Sequence, residues 1–206
     1  MSSYARPPVL ADRPCHGERP PRLPCLRPFS KSKRKPLVSV SPFVTHDPSD
    51  ESLRVLESSR LIEHILERFH QTHRRQLPVL IALAERVERT HAGQTDAPTG
   101  LSELLMVIAE DLETHQQKEE RILFPMMLAG GAPMIGGPIT RMLAEHAEVE
   151  EQLASLRLLT GGFTPPASAC GTWRRLYEEA LVFHQDLLDH MRIENEILFP
   201  RFLPSP

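Results

Sequence analysis

The 206-residue sequence predicts an all-α protein, an antiparallel up-down-up-down four-helix bundle preceded by a disordered N-terminal arm. Three observations carry that expectation. Four long amphipathic stretches follow one another with only short Gly- or Pro-containing breaks between them. Leu, Ala, Glu and Arg are abundant while aromatic residues make up 5%, a balance that favours helix over sheet. One helix end is also written twice. The segment His115-Gln-Gln-Lys-Glu119-Glu-Arg-Ile122-Leu123-Phe124-Pro125 returns 75 residues later as His190-Met-Arg-Ile-Glu194-Asn-Glu-Ile197-Leu198-Phe199-Pro200, identical at six of eleven positions.

Residues 1–48 read as an arm and residues 49–206 as the bundle. Nine prolines between Pro7 and Pro42 stop any helix or inner strand from propagating. The net charge of −3 divides unevenly: residues 1–45 carry nine Arg or Lys against two acids, and the remainder 15 against 25. The run Lys31-Ser-Lys33-Arg34-Lys35 has no interleaved aromatics, so it reads as a solvated tail rather than a nucleic-acid-binding arm. Three cysteines, Cys15, Cys25 and Cys170, are too few and of the wrong parity for a disulfide framework, which points to a reducing compartment. No apolar run reaches the length of a membrane span and no secretory pattern follows Met1, so a cytoplasmic location is expected.

The first helix is expected from about Ser52 to His91, with Leu61, Ile62, Ile65, Leu66, Phe69, Leu77, Leu80, Ile81, Leu83 and Val87 on its apolar face and a bend at Pro78. Gly93 and the 96–100 stretch close it. The second runs from Leu101 to about Leu128, with Ser102 as N-cap and Pro125 disturbing its last turn. After four glycines between Gly130 and Gly137, the third spans about Pro138 to Leu159 and stops at Gly161-Gly162. Pro165-Pro166 lead into the fourth, from about Ser168 to Phe199.

Helices two and four then run parallel, and each carries a His with a Glu four residues on. Positions i and i+4 stack on one face of a helix, so each copy aims an imidazole and a carboxylate the same way. A single His-x-x-x-Glu pair is weak, since such pairs are common helix stabilisers and a lone histidine is more often structural. Two copies on parallel helices are hard to explain blandly. The first and third helices must complete the site. The third offers His146, flanked by Glu145 and Glu148; the first offers His64, His70 and His73, with His70 and His73 sharing a face. His91 and His184 lie off the pattern.

Four imidazoles and two carboxylates without a thiolate exclude a structural zinc or iron–sulfur site and differ from the all-oxygen cages of calcium or magnesium. If Glu119 and Glu194 each bridge, every ion receives two nitrogens and two oxygens. Six-coordinate iron then keeps open positions, one of them shareable as an oxo or hydroxo bridge, at which O2 or NO binds. The set also differs from the Glu-x-x-His pattern of ferritin-like bundles. Asp111 and Asp186 occupy equal places in the two copies, four residues before His115 and His190, and at least one is expected to accept a hydrogen bond from the distal nitrogen of a ligand imidazole, the alternative being that both face solvent.

Further segments extend the pattern: Phe69-His70-Gln-Thr-His73-Arg74-Arg-Gln-Leu77-Pro78, the stretch from Glu85 to His91, Gly137-Pro138-Ile139, Glu145-His146, Phe163-Thr-Pro165-Pro166 and Ala169-Cys170-Gly-Thr172-Trp173. With the two Leu-Phe-Pro helix ends, residues 58–203 resemble the iron–sulfur cluster repair di-iron family of the hemerythrin-like (HHE) superfamily. That resemblance implies a hemerythrin-like bundle with two non-haem iron ions, active in nitrosative and oxidative stress, for which iron donation and NO reduction have both been proposed. It implies ligands at His70, His115, His146 and His190 with bridging Glu119 and Glu194, and so selects His70 over His73. Small gases and damaged iron–sulfur proteins are the implied partners. The chain departs from the family in lacking the small N-terminal domain with an adjacent cysteine pair, and in having Ala147 and Phe69 where Asp and Tyr are usual. Two rivals remain at this stage: a non-catalytic O2- or NO-binding sensor, and an interaction module whose arm binds nucleic acid while the metal only stabilises the fold.

Overall fold

The computed structural model describes residues 49–204, all of whose regular structure is helical. The arm expected over residues 1–48, with Cys15 and Cys25, lies outside them.

A short helix α1 (Asp50–Arg54) opens the described chain, with the Ser49 hydroxyl accepting from the Ser52 amide at 3.4 Å and Asp50 and Glu51 in its first turn, where negative charge suits the helix dipole. The first long helix was expected to start near Ser52; instead the chain breaks after Arg54 and α2 runs over 58–90. The cause lies at the other end of the sequence. The Arg201 guanidinium takes the carbonyls of Leu56 at 2.7 Å, Arg54 at 3.1 Å and Leu53 at 3.3 Å, satisfying acceptors that a continuing helix would have used.

Helix α2 passes through Pro78 unbroken, and its departure from regularity lies earlier, in a π-helical turn at Ile65–His70. Helix α3 (101–128) starts after Gly100, whose φ of 88° is a left-handed conformation that favours glycine. Ser102 is therefore not the N-cap. It sits in the first turn, and Glu88 of α2 accepts from its amide at 3.0 Å and its hydroxyl at 2.6 Å, capping α3 from outside. Helix α4 spans Gly136–Leu159 and α5 spans 171–198, ending in a 3-10 turn Phe199–Phe202.

Both copies of the repeat contain a π-helical turn, Glu119–Leu123 and Glu194–Leu198, directly before Phe-Pro. In a regular α-helix the rings of Pro125 and Pro200 would meet the carbonyls four residues back and lack the amide to bond them; the wider turn relieves this.

The four long helices pack in cyclic order, α2 against α3 and α5, and α4 against the same two. Their apolar stripes form two cores with a polar layer between. Leu77, Leu112, Val149 and Leu187 border it in one core; Phe69, Leu123, Met142 and Ile197 border it in the other. On every long helix the predicted ligands fall between those residues. Among the described residues no helix is long and apolar enough to cross a membrane.

Candidate metal centre

The polar layer holds His70 from α2, His115 and Glu119 from α3, His146 from α4, and His190 and Glu194 from α5, each at most 3% exposed. Glu119 lies between two imidazoles, 3.4 Å from His70 Nε2 and 3.3 Å from His115 Nε2. Glu194 repeats this with His146 at 3.3 Å and His190 at 3.2 Å. The donor atoms gather in two clusters, His70–Glu119–His190–Glu194 and His115–Glu119–His146–Glu194, with the atoms of each within 4.8 Å of one another. Both clusters share both carboxylates. His73, although fully buried and three residues from His70, belongs to neither; nor do His64, His91 or His184.

The donor set fits a pair of cations. All four carboxylate oxygens of Glu119 and Glu194, and Nε2 of His70 and His190, are buried without a hydrogen bond. Two carboxylates in a dry layer need positive charge close by. Burial pushes Glu194 up, and His190 and His146 more than reverse it, holding it well below the usual carboxylate range. Glu119 is lowered in the same way by His115 and His70, against burial and the repulsion of Glu194. In return His115 rises to about 9: burial opposes protonation, but Glu119 outweighs it. A metal ion bound to these atoms supplies the charge the imidazoles otherwise provide as protons, so binding releases protons.

Distal nitrogens are held from neighbouring helices. Glu120 stands 2.8 Å from His70 Nδ1 and also accepts from Arg74 at 2.8 Å. Asn195 stands 2.7 Å from His146 Nδ1. Glu145 stands 2.9 Å from His115 Nδ1 and accepts from Lys118 at 2.6 Å and Arg141 at 2.7 Å. Such contacts fix ring orientation and raise ligand basicity. Aromatic rings complete the enclosure: Phe69 stacks on His190 at 5.3 Å, Phe124 packs on His70 at 5.9 Å and Phe199 stacks on His146 at 5.9 Å.

The expected role of Asp111 and Asp186 is corrected. Asp186 accepts from Arg68 at 2.7 Å and Gln76 at 2.8 Å, and Asp111 from Gln152 at 2.6 Å; neither hydrogen-bonds a ligand imidazole. The offset of four residues places them one turn down the axis, where inter-helix neighbours take them. The true supports were missed, yet the repeat held a signal one position further on: Glu120 and Asn195 each directly follow a shared carboxylate.

Comparison with known proteins identifies the family. The hemerythrin HHE cation binding domain matches residues 61–202. The iron–sulfur cluster repair protein YtfE of Musicola paradisiaca is 46% identical over 156 residues, which is 76% of this chain and 70% of that protein. Its counterpart in Dickeya chrysanthemi is 45% identical over 159 residues, 77% and 72% of the two chains, and that of Yersinia pseudotuberculosis is 43% identical over 164 residues, 80% and 74%. Fold and site thus define a cation-binding helical bundle. The chain belongs to the hemerythrin HHE family, within it to the iron–sulfur cluster repair group.

Proposed function

We propose that this protein holds two iron ions at the paired clusters and supports repair of damaged iron–sulfur clusters in the cytoplasm, with NO and O2 as the small molecules that reach the centre. The observation that carries this is the sharing of Glu119 and Glu194 by two four-residue clusters. His70 and His190 would hold one ion, His115 and His146 the other, and the two carboxylates both. Bound there, an iron pair supplies redox chemistry and coordination positions open to a small molecule. The protein's own part is positional. Glu120, Glu145 and Asn195 orient three of the rings, while Phe69, Phe124 and Phe199 pack against imidazoles and restrict water. The relatives' name, iron–sulfur cluster repair protein, supports the choice of target.

The test is recovery of an iron–sulfur enzyme inactivated by NO. Iron-loaded protein is expected to speed recovery beyond an equal amount of free iron, and Glu119→Ala to abolish the gain. Recovery no faster than with free iron contradicts the repair role, and tight NO binding without recovery then favours sensing.

A further inference from the structure

Well away from the metal clusters, α2 ends beside the start of α5. Cys170 precedes His190 by 20 residues, about 30 Å of helix at about 1.5 Å per residue. At this end His91 Nε2 lies 3.3 Å from Cys170 Sγ. The imidazole is itself held: its Nδ1 faces Gln94 Oε1 at 3.2 Å, and its ring packs on the Trp173 indole at 4.8 Å between centroids. His91 is 8% exposed, whereas Cys170 is only partly buried and its thiol is free. Cys170 is the N-cap residue of α5, by the positive end of the helix dipole.

Cys170 packs against the apolar core on one side yet keeps part of its surface open, with the His91 ring beside its sulfur. Inert thiols lie in apolar pockets, whereas reactive ones are accessible and electropositive in setting. Here a nucleophile, a proton-accepting ring and a group that orients that ring stand in sequence, the arrangement of an activated nucleophile. The His91 contact, followed by the Trp173 and Thr172 amides, brings the Cys170 thiol down to about 7.

We propose that Cys170 is a nucleophilic site for low-molecular-weight disulfides, with His91 as its proton acceptor and donor. Cys170 Sγ passes its proton to His91 Nε2 and the thiolate attacks one sulfur of the incoming disulfide. A bond forms between Cys170 and that sulfur as the original S–S bond breaks. The electron pair leaves with the second sulfur, which takes the proton back from His91. The products are a mixed disulfide on Cys170 and one free thiol, and the incoming disulfide is the oxidant. This site stands independently of the metal centre.

The test uses the full-length protein carrying Cys15→Ser and Cys25→Ser, which leaves Cys170 as its one thiol among the three of the sequence. Oxidised glutathione should add one glutathionyl group, seen by intact mass. With a dipyridyl disulfide, the reaction rate against pH should show a midpoint near 7, not near the ordinary value of about 8.5. His91→Gln should move the midpoint up by about one pH unit or more and slow the reaction at acid pH roughly fivefold, since a more basic thiolate is intrinsically more nucleophilic and offsets part of the loss. No adduct on Cys170, a parent midpoint of about 8.5, or a midpoint that His91→Gln leaves in place would each overturn the proposal. The parent profile decides the matter even where the His91 variant fails to fold.

Discussion

Glu120, Glu145 and Asn195 each take the distal nitrogen of an imidazole on a neighbouring helix, so the ligands are oriented from outside their own helices. Two consequences follow at the scale of single side chains. Glu120→Ala and Asn195→Ala should speed iron loss to a chelator, in line with a roughly 10–100-fold weakening when such partners are removed. Asp186→Ala should instead leave iron in place and lower the melting temperature, because it removes the acceptor of both Arg68 and Gln76, a loss of about 1–3 kcal/mol. Equal rates of iron loss in all three variants would show that Asp186 acts on the metal after all. Of the six clustered side chains, four could be read from helical periodicity, which pairs His115 with Glu119 and His190 with Glu194; the choice of His70 over His73 rested on the family resemblance. Their supports were not legible, because those hydrogen bonds run between helices and sequence spacing says nothing about which neighbour is met. His73 shows the same limit: three residues from His70, it enters neither cluster, and its Nδ1 faces Gln76 Oε1 at 3.2 Å instead.

Among the helices, irregular turns and regular stretches each place three of the six clustered side chains, with His115, His146 and His190 in regular helix. The π-helical turns Ile65–His70, Glu119–Leu123 and Glu194–Leu198 contain His70 and both shared carboxylates, while α4, regular from Gly136 to Leu159, contributes His146 alone. Existence and order of the long helices could be read from apolar periodicity, whereas several ends could not. The break after Arg54 is set by Arg201, and the start of α3 by Glu88, both partners on other elements. Glu88→Ala should cost about 1 kcal/mol, the usual loss of a helix cap, read as a small drop in melting temperature with iron content unchanged. No drop would mean that Gly100 alone ends the preceding turn and that the Glu88 contacts contribute nothing measurable.

Taken whole, the bundle is two helical hairpins that each supply two imidazoles and one carboxylate: His70, His115 and Glu119 from α2–α3, and His146, His190 and Glu194 from α4–α5. The clusters cross between the hairpins, since each combines histidines and carboxylates from both. Neither hairpin alone completes a site, so metal binding and assembly of the bundle are coupled. Removing metal with a chelator should therefore lower the melting temperature, and restoring iron should raise it again. The central claim, two ions sharing Glu119 and Glu194, is tested most directly by elemental analysis of protein purified without added metal, alongside Glu119→Ala and Glu194→Ala. Two irons per chain are expected in the parent, with a loss at both positions in either variant. A single zinc in the parent, or two irons retained in both variants, would contradict it.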